Sequence, residues 1–134
     1  MRAWLLLPLA LLFVAAPPRA AAAPQSDALE AGRKAFKRCA SCHQVGPGAR
    51  SQFAPHLNGI VGRRAGALPD FAYSPAMKRA GFVWTEARLR AFLADPDKIV
   101  PGNKMRFWNI MGERQVGDLA AYLATLPPAG DARR

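Results

Sequence analysis

The sequence predicts an all-α domain of three to four short helices joined by two long loops. Two apolar stripes carry this reading. Leu29, Gly32, Phe36 and Cys39 recur at steps of three and four, and so do Val116, Leu119, Ala120, Leu123 and Leu126. No stretch alternates apolar and polar residues as a half-buried strand would. Twelve prolines and eleven glycines are scattered without period, which excludes a collagen-like chain and places substantial irregular loop between the helices. The 134 residues are 51% hydrophobic and 21% charged, with mean hydropathy near zero, as for one globular domain. Two cysteines are too few for a disulfide scaffold.

Taken in order, the chain opens on a segment unlike the rest. Arg2 gives a positive start, Leu5 to Ala16 is an apolar run, and Pro17-Pro18 ends it, the pattern of an export signal. The run falls short of the roughly 20 residues a spanning helix needs. Ala20 to Ala23 offer A-x-A cleavage sites after Ala21 or Ala22, giving a leader over 1–22 and a domain over 23–134. Helix is expected from Asp27, where Asp27 and Glu30 have the D-x-x-E form of a capping box, to about Cys42. Gly46-Pro47-Gly48 breaks regular structure, and the stretch to about Ala67 reads as loop. One or two helical turns follow over Ser74 to Ala80. Thr85 is a good N-cap, with Trp84 and Leu89 placed as a hydrophobic staple, for a helix running to Ala94 before Pro96. Asp95 to Arg106 reads as a second structured loop. The last helix begins at Gly112 or Glu113 and ends at Leu126, before Pro127-Pro128. So few helices and so much loop make a thin core, which a large apolar cofactor would complete.

Cys39-Ala40-Ser41-Cys42-His43 is C-x-x-C-H, the attachment sequence of c-type haem. Two thiols three residues apart on a helical turn project to one side, where they can add to two vinyl groups as thioethers. The adjacent His43 can then place a ring nitrogen on the iron. Other uses of these residues fit less well. A thioredoxin-like pair would sit beside a βαβ pattern, a zinc site would lack its second half, and a Cys39 to Cys42 disulfide would be strained. With His43 alone the iron stays open to small molecules, and a second protein ligand closes it. The candidates are Met77, Met105, Met111 and His56. Met105 lies in Pro101-Gly102-Asn103-Lys104-Met105-Arg106-Phe107, which Pro and Gly keep out of a helix, so its thioether is free to be aimed inward.

With these residues in view, the chain from Asp27 to Leu126 resembles the class I cytochromes c, close to the mitochondrial-type and bacterial c2 branch. The matching stretches are Gly32 to Arg38 before the haem motif, Pro55-His56-Leu57-Asn58-Gly59 with Gly62-Arg63, Phe71 to Ser74, Gly81 to Trp84, Pro101 to Met105 with Phe107, and Asp118 to Leu123. The resemblance implies a small cytochrome c fold wrapped around one covalently attached haem, with His43 and Met105 as iron ligands. It also implies that the Pro55 carbonyl accepts the other imidazole N–H of His43. Tyr73 and Trp84 become partners of a buried haem propionate, Arg63 offsets its charge, Asn103 retains a donor for a propionate, and Phe107 joins the cofactor-binding set. Gly32 and Phe36, with Leu119 and Tyr122, resemble the family's crossing of first and last helices. Two departures stand out. Phe92 replaces a tyrosine whose hydroxyl reaches the ligand sulfur in many relatives, and Met77 replaces a polar asparagine. Both remove hydrogen bonds from the distal side.

Nineteen Lys plus Arg against nine Asp plus Glu give a net charge of +10, and losing Arg2 and Arg19 with the leader leaves +8. Arg33, Lys34, Lys37 and Arg38 precede the haem motif, while Lys104 and Arg106 flank Met105, so both segments are expected to border an exposed haem edge. Such a ring would steer the protein onto acidic redox partners: a cytochrome complex, an oxidase, a dehydrogenase or a reaction centre. The expected function is a monomeric, periplasmic one-electron carrier, with transient contact at a membrane surface allowed. A dedicated electron-accepting subunit and an open-site haem enzyme or gas sensor are the competing readings. No acid or base pair accompanies the iron site, so catalysis is not expected. No nucleic-acid module and no dinucleotide motif is present, so neither partner is expected.

Overall fold

A computed structural model describes residues 24–107 and 110–130; the expected leader over 1–22 lies outside the described residues, as do 131–134. Among the described residues there are three helices of nine or more residues and two short ones, with no named strand: α1 (Pro24–Ala35), α2 (Pro75–Arg79), α3 (Glu86–Ala94), α4 (Pro96–Ile99) and α5 (Glu113–Ala124). The all-α prediction therefore holds.

The first helix differs from expectation at both ends. It begins at Pro24, which puts Asp27 inside its first turn rather than at a cap. The expected capping box does not form, because the Glu30 carboxylate turns toward Arg33, accepting from Nε at 2.9 Å and Nη2 at 3.0 Å. A charge-assisted fork is stronger than one amide bond. At its other end α1 tightens into a 3₁₀ turn over Phe36–Arg38, and two further turns carry the chain through the motif: the amides of Cys39 and Ala40 donate to Phe36 O, and those of Cys42 and His43 to Cys39 O.

Thr85 caps α3 as expected, and Ser74, where a helical turn was expected to begin, caps α2. Ser74 Oγ accepts from the Met77 amide and Thr85 Oγ1 from the Arg88 amide. Trp84 and Leu89 are both buried, as a staple requires. The loop from Asp95 contains one unexpected turn, α4, capped by Asp95 Oδ1 accepting from the Lys98 amide. The long loop after the motif also carries more order than its glycines suggested. Gly62 N donates to Trp84 O at 2.8 Å and Trp84 N to Arg63 O at 2.9 Å, around a single antiparallel bridge of Arg64 with Val83. This short ribbon turns Trp84 inward, edge-on to Phe82 and Phe92.

The helices meet where side chains are smallest. A Cβ on Gly32 would stand 2.7 Å from Tyr122 Cβ and closer still to the Asp118 carbonyl oxygen. Backbone of α1 therefore lies directly on α5, and beside this crossing the Phe36 and Tyr122 rings stack tilted at 5.9 Å. Leu119 and Ala120, at 0% exposure, sit at the centre of the core beside the crossing. α3 packs on α5 from the other side. Gly32→Ala is expected to cost about 3 kcal/mol or more, since the obstacle is backbone that cannot rotate away. Thermal melting followed by circular dichroism checks this, and a loss under about 1 kcal/mol would contradict the backbone contact.

Candidate functional site

The crossing of α1 and α5 delivers Cys39, Cys42 and His43 to one wall of a cavity of about 670 Å³, within the range of cofactor sites. Leu57, Ile60, Leu89, Phe92 and Leu93 supply much of its apolar lining. Cys39 and Cys42 are not joined to each other as a disulfide. Cys39 is buried, and that burial pushes its thiol above the ordinary value, while Cys42 is exposed at the mouth.

His43 is fixed by its neighbour. Its Nδ1 lies 2.7 Å from the Pro55 carbonyl, and a carbonyl accepts only, so Nδ1 carries the proton and Nε2 keeps its lone pair. Burial holds the imidazole below its ordinary pKa, against the pull of the Pro55 bond, and the Arg63 charge lowers it further. Pro55 is held near by a clamp that sequence reasoning missed. Asn58 Oδ1 accepts from Gly46 N and Asn58 Nδ2 donates to Gly46 O, both at 2.8 Å, closing the loop that follows His43. Only the asparagine's place in a matched stretch hinted at it.

Of the four thioether or imidazole candidates facing His43, the structure brings two to the cavity. Met105 and Met77 line it. Met111 is buried in the core beyond it, and His56 is buried behind Pro55, neither on the lining. The Met105 loop is pinned from two directions: Lys104 Nζ donates to Ala72 O at 3.1 Å, and Gly102, at φ 84°, passes Ala76 closely enough that a Cβ would touch it at 3.4 Å.

Arg63, Tyr73, Trp84 and Phe107 all line the cavity as expected. Asn103 does not. It is 3% exposed, and its amide is committed elsewhere: Nδ2 donates to Asp97 Oδ1 at 2.9 Å and to Val100 O at 3.0 Å, while Oδ1 accepts from the Met105 amide at 2.8 Å. In this structure both amide protons are thus engaged within the loop rather than at the cavity lining. Asn103 shapes the turn that presents Met105, and the acceptor Asp97 arrives on α4, the turn that the sequence did not predict.

Arg63 brings a positive charge to the cavity wall. Its guanidinium is half-buried and donates to two carbonyls, Asn58 O at 3.2 Å and His56 O at 3.0 Å. Burial lowers its pKa, and among the described residues no carboxylate pairs with it. A half-buried cation bonded directly only to two carbonyls, with the Asp70 carboxylate acting from farther away, suits an anionic ligand group. Tyr73 stands nearby, its phenol pushed up by burial. An apolar planar cofactor bearing carboxylates, with two attachment thiols and an imidazole at one wall, fits this donor set.

His56 adds a pH dependence. It is 6% exposed, and its Nδ1 has no hydrogen-bond partner among the described residues. Burial and then the Arg63 charge lower its pKa from 6.5, against a weaker opposing pull from Asp70. The unfolded chain therefore takes up a proton that the folded chain resists, and stability is complete above the unfolded value and falls as pH drops below it. Urea unfolding from about pH 7.5 to about pH 5.5 is expected to show a loss that His56→Asn reduces. Equal losses in the two proteins would contradict this.

The comparisons with known proteins agree with this geometry. A family profile described as Cytochrome c matches residues 29–127. Cytochrome c2 of Blastochloris viridis is 45% identical over 112 residues, covering 84% of this chain and 87% of that protein. Cytochrome c2 of Agrobacterium tumefaciens (strain II Chrys) is 50% identical over 95 residues, covering 69% and 86%. Among solved structures, cytochrome cH from Methylobacterium extorquens superposes with a TM-score of 0.66 at 42% identity, over 72% of this chain and 97% of that one. With the profile spanning most of its length and relatives this similar, the chain belongs to the cytochrome c family.

Proposed function

We propose that this protein is an exported one-electron carrier whose iron is held between His43 and Met105 and which passes electrons between acidic redox proteins in the periplasm. Family membership gives the coarser part outright: a monohaem c-type cytochrome, its haem joined through Cys39 and Cys42, that carries electrons and is not an enzyme. Bound in the cavity, the haem supplies an iron that alternates between ferric and ferrous.

The observation that carries the finer reading is the placement of His43 and Met105 on one apolar cavity, each backed by its own hydrogen bond. The Pro55 carbonyl holds the imidazole in the tautomer a metal needs. The Asn103 side chain holds the amide of Met105, so the thioether is presented from a fixed turn. Met77 also lines the cavity, its amide held by Ser74 Oγ at the start of α2; what favours Met105 is its place in the Pro101 to Phe107 loop, one of the stretches that resemble the family. Arg63, with Tyr73 and Trp84, would hold the propionate. Closure of both iron faces by protein leaves outer-sphere transfer as the chemistry. Phe92 and Met77 offer no hydrogen-bond donor to the Met105 sulfur.

Arg38, Lys104 and Arg106 are exposed where they line the cavity mouth, and among the described residues no carboxylate does so. That one-sided charge favours acidic partners and makes their encounter rate salt-dependent. The export signal over 1–22 is the support for a periplasmic location; among the described residues no helix is long and apolar enough to cross a membrane.

Visible absorption of the reduced holoprotein with carbon monoxide tests the ligand assignment. The spectrum is expected to stay unchanged in wild type and in Met77→Leu, and to shift as the gas binds in Met105→Ala. Ready binding by wild type would instead support an open iron site, and binding by Met77→Leu alone would transfer the ligand role to Met77. Oxidation by an acidic partner protein is expected to slow about tenfold or more as salt rises from low to physiological strength.

A further inference from the structure

We propose that the short strap over 126–128, where the chain leaves α5, is a positioning element for His43: it braces the segment 55–60, whose first carbonyl orients the imidazole. This rests on the reading of His43 as an iron ligand.

The sequence makes this stretch a strap rather than more helix. Pro127 has no N–H to donate, and a residue before a proline is pushed away from helical backbone. α5 accordingly ends at Ala124, and Thr125 Oγ1 donates back to Tyr122 O at 2.7 Å. Leu126 O then accepts from Gly59 N at 3.1 Å. Pro127-Pro128 follows with φ fixed at both residues, so the strap is stiff. It lies directly on Gly59, where a Cβ would stand 2.7 Å from Pro128 Cα and 3.1 Å from Pro128 N. Gly59 also adopts φ 63°, so both the contact and the backbone call for glycine.

Gly59 is the last link of a segment in which each residue holds part of the site. Pro55 O accepts from His43 Nδ1 at 2.7 Å. His56 O and Asn58 O accept from Arg63, Leu57 N donates to Gln44 O at 3.0 Å, and the Asn58 side chain closes on Gly46. Upstream, His56 N donates to Ser51 Oγ at 3.2 Å, within the loop itself. The strap is the brace that comes from the helical core, since α5 is seated on α1. Arg63 has a further hold in the ribbon, where Trp84 N donates to its carbonyl. Slack in the strap is therefore felt first at Pro55 and His43. A firm bond from Nδ1–H makes an imidazole the stronger metal ligand, which favours ferric iron.

The test compares the holoprotein as wild type, as a chain ending at Pro127, as a chain ending at Gly130, as Pro128→Ala and as Gly59→Asn. Ending at Gly130 removes the same charged residues as ending at Pro127, namely Asp131, Arg133 and Arg134. Pro128→Ala keeps the atoms nearest Gly59, whereas asparagine tolerates the positive φ of residue 59 but pushes the strap away. Exchange of the His43 ring N–H is followed by nuclear magnetic resonance of the reduced protein, and the potential is measured at high salt to screen the displaced terminal carboxylate. In the chain ending at Pro127 and in Gly59→Asn the ring proton is expected to exchange about tenfold or more faster than in wild type, and the potential to shift upward. The chain ending at Gly130 and Pro128→Ala are expected to match wild type, and the Leu119 amide at the centre of the core is expected to exchange equally in all five.

Equal ring exchange in the chains ending at Pro127 and Gly130 would overturn the inference and leave the ligand reading standing. Equal acceleration at Leu119 would overturn it by showing a general loss of stability. A potential that shifts downward would overturn it by placing the effect at Arg63 instead. A His43 ring without the large chemical-shift change that a porphyrin face imposes would overturn the ligand reading, and the inference with it.

Discussion

The fold is organised around a large cavity walled by apolar side chains. Side chains of α3 and α5, with Met77 of α2 and the long loops, line about 670 Å³, and Leu89, Phe92, Leu93 and Leu123 turn toward that space as well as toward one another. Leaving such walls facing water forfeits both the hydrophobic term and the packing contacts. The structure thus depends on a large apolar occupant, and the features around the cavity make sense as ways of locating it. Cys39 and Cys42 can fix its edge covalently, His43 faces it with a defined tautomer, and Arg63 brings a positive charge that a carboxylate would neutralise.

Placement of those groups traces back to one contact. Because Gly32 lets α1 rest on the backbone of α5 at Asp118 and Tyr122, the turns following α1 emerge at a fixed angle with the motif against the cavity. The opposite wall is organised differently, by short polar ties rather than helix packing. Asp97 holds Asn103, Asn103 holds the Met105 amide, and Lys104 reaches Ala72. A rigid helical side and a hydrogen-bonded loop side therefore present His43 and Met105 to the same space. The polar ties depend on few residues each, so the loop side is where local opening costs least.

Much of this was legible in the sequence because the signals are local. Ser74 and Thr85 announce their helices through side-chain oxygens that cap the next turn, and the stripe from Val116 to Leu123 has the period of α5. The five residues of the motif identify the cofactor because their chemistry requires adjacency. What was not legible depends on competition or on distance. The start of α1 was misplaced because Glu30 had two uses, and the pair with Arg33 prevailed over the cap. The bond of the Asn103 amide to Asp97 depends on the turn at Pro96–Ile99, which no sequence period announced. The Asn58 clamp on Gly46 and the Ser51 tie to Asp70 span 12 and 19 residues without any periodic trace.

The dependence of the fold on its occupant is tested most directly by thermal unfolding of the chain produced without haem attachment, followed by circular dichroism. Such a chain is predicted to show reduced helix content and no cooperative transition, in contrast to the holoprotein. A haem-free chain that melts cooperatively, with helix content and midpoint close to those of the holoprotein, would contradict the account.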